Sequence, residues 1–374
     1  MPKNRTAPVN DYVESILNKI DDQRKREKYK QHLTGVSQFA AMLAQKRNLD
    51  AEISAVAGLL HDIYKYSTGI GKYHSHNSAE YVKPVLYKMN LFTEEEQLII
   101  LSAIFHHADK KHVHDAYDEV LKDADALHHH FHDDSFDCNE IKADRIKKAI
   151  AELEIEGEIN IAESKDISWK KVKKKKDVCQ KFAKTASRLA SKPVVGSLED
   201  KHFKQILKYW PEDPPGDSLN CFFNDWNAAF VYHCCIESGF NLPVRYPNVS
   251  YRFCCVKAWL EWAIRSEVNL FIPYGCDIVP MKGDILVYKN NAGSGANLVN
   301  NQSPERMGVV LNFNGEFFEI AEGNSNFKNI SEVASIRNNE NIIGFIRLND
   351  EYTYMGWQFD YKTGKYRAEP YIVS

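Results

Sequence analysis

The chain has 374 residues, enough for two domains that each bury a core of their own. Hydrophobic residues make up 44% and charged residues 26%, an ordinary globular composition that excludes a wholly disordered chain. The formal net charge of −3 excludes a global basic field that would pull the protein onto nucleic acid or anionic lipid, so neither is the favoured partner.

No apolar run reaches the roughly 18 residues of a transmembrane helix. The start, Met1-Pro2-Lys3-Asn4-Arg5, leads into a charged helix and not into the apolar core of a signal peptide. The eight cysteines (138, 179, 221, 234, 235, 254, 255 and 276) contain no CxxC pair. They read as reduced thiols in a cytoplasmic protein rather than as a zinc knot or a disulfide framework.

Residues 1–155 read as an all-α domain. Asn10 or Asp11 is placed to cap a first amphipathic helix, and Asp50 to cap one that begins Ala51-Glu52-Ile53. Apolar positions recur at helical spacing in Val36, Phe39, Ala40 and Leu43, and again in Ile53, Val56, Leu59 and Leu60. Residues 156–205 change character. Between Lys165 and Lys192 stand ten Lys and one Arg against two Asp, which reads as a solvated, partly helical connector. A strip contacting a polyanionic substrate is the sharper reading of Lys170 to Lys176.

Residues 206–350 read as an α+β domain with an antiparallel sheet. Pro211, Pro214, Pro215 and Gly216 mark a loop, and a helix follows from about Trp226 to Cys235. Strands are expected over 283–288, 308–311, 316–320 and 342–347, with Asn314-Gly315 as a two-residue hairpin turn. Trp226, Trp259 and Trp262 read as core. The tail, 351–374, is rich in aromatics.

Twelve of the 14 histidines lie between His32 and His132, and metal binding is the usual cause of such clustering. His61-Asp62 ends the apolar stretch Ala57-Gly58-Leu59-Leu60, and Asp125 sits in the apolar frame Ala124-Asp125-Ala126-Leu127. An Asp on an apolar frame is costly unless something offsets its charge, and a divalent metal does so. Asp123 competes with Asp125 for the last ligand position.

The order His32, His61-Asp62, Asp125, within Leu59-Leu60-His61-Asp62-Ile63-Tyr64-Lys65, resembles the HD superfamily of metal-dependent phosphohydrolases over about residues 25–150. The further His76 and His106-His107 are similar to the binuclear branch of that superfamily. The resemblance implies two divalent ions, with Mn, Fe, Co, Ni or Mg all suitable. Asp62 would bridge them, His32, His61 and Asp125 would hold one, and His76, His106 and His107 the other. It also implies a phosphorylated small molecule or nucleotide as substrate, with Lys65 in reach of its phosphate. Tyr64 stands where many members carry Gly and is expected to narrow the pocket. His74, His112, His114, His128, His129, His130 and His132 are assigned to surroundings of the site or to the surface.

In the second half, Trp226-Asn227-Ala228-Ala229, the strand from Gly283, Arg306-Met307-Gly308-Val309-Val310 and Glu322-Gly323-Asn324 resemble the CHAP class of papain-like amidases and peptidases. The places of its cysteine and histidine are held by Asn227 and Arg306, which supply neither a thiolate nor a base near neutral pH. The resemblance therefore implies a papain-like fold without its chemistry. Asn227, Arg306, Glu322 and Asn324 would line a cleft that recognises a ligand. A cysteine amidase or peptidase with a displaced nucleophile, Cys221, Cys234 or Cys235 with His233 as base, is one alternative, and a nucleotide-sensing protein whose HD site only binds is another.

Overall fold

A computed structural model describes residues 4–132, 140–155, 178–210, 225–240, 242–246, 252–265, 268–275, 279–289, 305–349 and 352, together with the backbone of 357–360 and 365–368. The lysine run, the loop of Pro211 to Gly216 and Cys138, Cys221 and Cys276 lie outside the described residues. The chain divides into two units, Met1–Val172 with Met355–Ser374, and Lys173–Tyr354.

The first unit carries α1 (Thr6–Leu17), α2 (Gln23–Lys46), α3 (Ala51–Leu60), α4 (Ile63–Thr68), α5 (His74–Met89), α6 (Glu94–His106), α7 (Ala116–His132) and α8 (Glu140–Glu152), and the short strands β7 (Trp357–Asp360) and β8 (Lys365–Ala368) pair antiparallel. The first helix begins ahead of the expected Asn10 or Asp11. Arg5 stands at its N-cap, tied by its own ion pairs to Glu52 and Glu96.

Asp50 caps α3 as its sequence predicts, accepting from the Glu52 and Ile53 amides. Every residue of α3 from Ile53 to Leu60 is buried, which marks it as the central helix of the unit. It packs against α1, α2, α6 and α7. Gly58 sets the approach of α2, because a Cβ there would stand 2.6 Å from the Ser37 Cα. His61-Asp62 is thereby delivered from the end of the most buried helix.

A network of charges ties α7 to its neighbours on the other side. Lys122 is fully buried, and its ammonium donates to the His112 carbonyl (2.8 Å), His114 Nδ1 (2.6 Å) and Glu119 Oε1 (2.7 Å). Glu119 also accepts from Arg145, which reaches Asp123, and Arg47 joins Asp123 to Glu152.

The second unit carries α9 (Val178–Ser191), α10 (Lys201–Tyr209), α11 (Asn227–Ser238) and α12 (Val256–Ala263), with β1 (Phe271–Pro273), β2 (Ile285–Lys289), β3 (Glu305–Phe313), β4 (Phe317–Glu322), β5 (Glu332–Arg337) and β6 (Ile342–Ile346). The six strands form one sheet in the order β1-β6-β2-β3-β4-β5, antiparallel at every pairing. A hairpin turn joins β3 to β4, but its two central residues are Gly315-Glu316, one position later than expected, because Phe313 pairs with Phe318 and the Asn314 amide donates to the Phe317 carbonyl. Gly315 has φ +96°, and Asn314 Oδ1 accepts from the amides of Glu316 and Phe317. Strands β1 and β5, at the two edges, are additions to the expected set. Trp226, Trp259 and Trp262 are fully buried. No helix among the described residues is long and apolar enough to cross a membrane.

Burial opposes ionisation of Glu119, but the Lys122 and Arg145 bonds outweigh it and bring its carboxyl down from 4.5 to about 2. Its stabilising contribution is complete above about pH 4.5 and is lost as pH falls toward 2. Glu119→Gln should therefore cost about 3 kcal/mol at neutral pH, by leaving a buried ammonium short of its partner. In urea unfolding, the gap between wild type and variant should close as pH is lowered through that window.

Candidate metal centre

Backbone carbonyls dictate the imidazole chemistry of this site. His61 Nδ1 donates to the Gly58 carbonyl at 2.8 Å, His74 Nδ1 to that of Gly71 at 2.8 Å, and His107 Nδ1 to that of Ile104 at 2.7 Å. A carbonyl oxygen only accepts, so each of these nitrogens carries the ring proton and each Nε2 is left as a bare lone pair.

Those bare nitrogens converge. His74 Nε2 lies 3.1 Å from His107 Nε2, and His61 Nε2 lies 3.1 Å from His32 Nε2. His74 and His107 thus face each other with two lone pairs, which repel at that distance unless a cation sits against both, whereas His32, whose Nδ1 lies 3.0 Å from His128 Nδ1, has no carbonyl that fixes its proton. Metal–nitrogen bonds of about 2.0–2.1 Å, at angles between octahedral and tetrahedral, separate two ligand nitrogens by roughly 2.9–3.4 Å. Burial lowers the pKa of His61 to about 4 and that of His32 to about 3, so both are neutral and in the form that binds metal.

Asp62 lies between the two pairs and is 2% exposed. Its Oδ1 faces His74 Nε2 (3.3 Å) and His107 Nε2 (3.7 Å), and its Oδ2 faces His32 Nε2 (3.9 Å) and His61 Nε2 (4.0 Å). Burial opposes its ionisation and the Lys65 ammonium, 2.9 Å from Oδ2, favours it, the net shift being downward from the usual carboxylate range. Oδ1 is a buried acceptor with no hydrogen bond among the described residues.

Asp125 joins the first pair. Its Oδ1 stands 3.6 Å from His32 Nε2 and 3.7 Å from His61 Nε2, while the buried Lys110 ammonium takes Oδ2 at 2.8 Å. Asp123, two residues earlier on α7, points away into the Arg47 and Arg145 network. His129, one turn beyond Asp125, brings Nε2 to 3.4 Å from Asp125 Oδ1. The groups of donor atoms close enough to share an ion in this unit, among the described residues, are His32 with His61 and Asp62, Asp62 with His74 and His107, and His32 with Asp125 and His129. The donor set, neutral imidazoles with carboxylates, fits divalent metal.

Two of the expected ligands are elsewhere. His106 Nδ1 is held by Asp118 Oδ2 at 2.8 Å, and the ring stacks on His114. His76 stacks on Phe105 with centroids 4.1 Å apart. His74 takes the place expected of them beside Asp62. The reason lies at the start of α5. Tyr73 adopts a left-handed φ of +54°, which sets the phase of the helix so that His74 faces the site. Residues two apart on a helix diverge, so His76 turns into the core. The same reasoning places Tyr64. Two residues after Asp62 on α4, it is fully buried against Tyr81 and does not narrow the site. Lys65 is folded inward, with its ammonium 2.9 Å from Asp62 Oδ2.

Residues 29–129 match the family of the HD domain. The matched segment runs from α2 into α7 and includes every residue of the three groups. It supports an HD superfamily domain and hence metal-dependent hydrolase character for this domain. No curated protein and no solved structure is significantly similar to the chain.

The second unit brings Asn227, Arg306, Glu322 and Asn324 together, but not around a cleft. All four are 1% exposed. Asn227 Nδ2 donates to the Met307 carbonyl (2.8 Å), and its Oδ1 accepts from the Met307 amide (2.8 Å), so the side chain pairs α11 with β3 as a peptide group would. Arg306 Nε donates to Glu322 Oε1 at 2.6 Å and its terminal nitrogen to the Asn324 carbonyl at 2.8 Å. Tyr288 and Ser325 complete the bonding of Glu322. Most of the expected ligand-binding donors are thus spent inside the fold; Arg306 Nη1 is buried without a hydrogen bond among the described residues, 3.6 Å from Asp225 Oδ1. Cys234 and Cys235 are fully buried, and burial pushes both thiols up, which removes them as nucleophiles near neutral pH.

Two outcomes check these assignments. Elemental analysis of purified protein should find His74→Ala and His107→Ala each one metal equivalent short of wild type, with His106→Ala and His76→Ala unchanged in metal content. Arg306→Ala leaves Glu322 buried without its cation, and should lower the stability of the second unit by about 3–5 kcal/mol in denaturant unfolding while leaving metal content intact.

Proposed function

We propose that the protein is a metal-dependent phosphohydrolase acting on a nucleotide or other phosphoester or phosphoanhydride through a binuclear site in its HD domain. The observation that carries this reading is the pair of bare imidazole nitrogens, His74 and His107, aimed at an orphaned buried oxygen of Asp62, next to the second cluster of His32, His61 and Asp125. His32, His61 and Asp125 would hold one ion and His74 and His107 the other, with the two oxygens of Asp62 shared between them. Two such ions, when bound, supply an activated water and neutralise charge on a phosphoryl group.

The chain's own residues do the rest. The Gly58, Gly71 and Ile104 carbonyls keep the imidazoles in one tautomer, so no proton has to leave Nε2 before a ligand bond forms. Lys110 holds the outer oxygen of Asp125 and so presents a single oxygen to the site. Lys65 and His129 stand at its more open edge, with side chains 38% and 32% exposed. Lys65 is the cation in reach of a substrate phosphate, released from Asp62 as the anion arrives. HD domains are generally metal-dependent phosphohydrolases, which supports the reaction class. The second unit, with Asn227 and Arg306 bonded inside the fold and Cys234 and Cys235 buried, would then be a catalytically degenerate CHAP-like domain for recognition or regulation.

A phosphate-release screen over nucleotides and phosphoesters with Mn²⁺, Co²⁺ or Mg²⁺ tests the reading. Asp62→Ala should lower the rate on the best substrate by at least about a thousandfold, because it removes the group common to both ions. Lys65→Met should act mainly on KM. Retention of full phosphatase activity by Asp62→Ala would refute the assignment.

A further inference from the structure

Only two histidines fall outside the first unit, His202 and His233, and the fold brings them together. His202 is the second residue of α10, whose first turn is fastened by Asp200 through the His202 and Phe203 amides. His233 lies in the middle of α11 and is fully buried. His202 Nδ1 stands 3.0 Å from His233 Nε2, and the other ring nitrogen of His233 is engaged by the Tyr209 hydroxyl at 2.8 Å. Glu237, one helical turn beyond His233, lies on the same face of α11 and is exposed. One ligand atom from each of His202, His233 and Glu237 lies within 4.8 Å of the other two.

We propose that His202, His233 and Glu237 form a second, independent metal site that takes a zinc-like divalent ion and staples α10 to α11. Two imidazoles and a carboxylate are a donor set that zinc favours, with a fourth position left for water. The 3.0 Å between the ring nitrogens falls in the range that two bonds to one ion produce. With the Tyr209 hydroxyl as acceptor of its Nδ1 proton, His233 would turn its Nε2 lone pair toward His202, as the outer hydrogen bond of a ligating histidine does. Glu237 supplies the anionic ligand on the solvent side, where an ion can enter. All three side chains project from regular helices, and that rigidity preserves the spacing without an ion. The site shares no residue with the HD domain, so it stands whether or not the phosphohydrolase reading holds.

The test is equilibrium dialysis of the full-length chain against Zn²⁺ with elemental analysis, paired with the Zn²⁺-dependent rise in unfolding temperature. Wild type is compared with Glu237→Gln, His202→Ala, His74→Ala and the Glu237→Gln/His74→Ala double variant. Glu237 is exposed and His202 only half-buried, so both variants should fold, as circular dichroism will verify. Each should bind one Zn²⁺ fewer at concentrations that saturate wild type, with affinity at that site weakened at least about tenfold, and the Zn²⁺-dependent thermal shift should shrink. The double variant should lose the Glu237 equivalent in addition to whatever His74→Ala loses. Wild-type stoichiometry and affinity in both Glu237→Gln and His202→Ala would overturn the site and leave a Tyr209–His233–His202 hydrogen-bond chain. Loss of a single shared equivalent in the double variant would overturn its independence.

Discussion

Three backbone carbonyls, those of Gly58, Gly71 and Ile104, each take the Nδ1 proton of an imidazole, and the rest of the metal centre depends on that choice. Each bond leaves a lone pair on Nε2, and the fold aims these lone pairs at one another and at Asp62. An ordinary histidine cluster relieves itself by passing protons from ring to ring. Here His74 and His107 cannot, because both protons are committed to acceptors that have none to give back. The cluster is therefore preorganised for a cation, and the helical scaffold offsets the cost of holding like dipoles together.

The scaffold does so by burying α3 on all sides. The helix ends at His61, and the chain turns through Asp62 into α4, so the doublet is buried. Low polarity there depresses the imidazole pKa values and strengthens every charge contact. Lys110 and Lys65 counter the carboxylates of Asp125 and Asp62 from two directions, and the Lys122–Glu119–Arg145 network anchors α7, which carries Asp125, from its other face.

The second unit uses polar burial for a different end. Asn227 and Arg306 are bonded within the unit to Met307 on β3, to Glu322 and to the Asn324 carbonyl. An amide side chain that imitates a peptide group can join a helix to a strand edge, and an enclosed Arg–Glu pair specifies how neighbouring strands meet. Polar residues whose order in the sequence resembles a catalytic motif can thus serve architecture, and the accounting of their hydrogen bonds distinguishes the two uses.

Much of this was legible in the order of residues. The helical period of residues 36–60, the Asp50 cap, the hairpin turn around Asn314-Gly315 and the place of His61-Asp62 at the end of an apolar helix are local properties, set by neighbours within a few positions. The match of residues 29–129 to the HD domain rests on that kind of pattern. The ligand partners were not local. His74 and His76 are two residues apart, and which one faces Asp62 depended on the backbone turn at Tyr73 that begins α5. His106 was claimed by Asp118, twelve residues away, and the His129 pairing with Asp125 is a helical i, i+4 relation that the sequence carries but that means something only once His32 is opposite. Likewise His202 and His233 are separated by 31 positions and meet only because α10 packs on α11. Periodicity and capping act within one element and can be read from the chain; tautomer, ligand choice and enclosure depend on what the neighbouring element presents, and only the tertiary structure decides that.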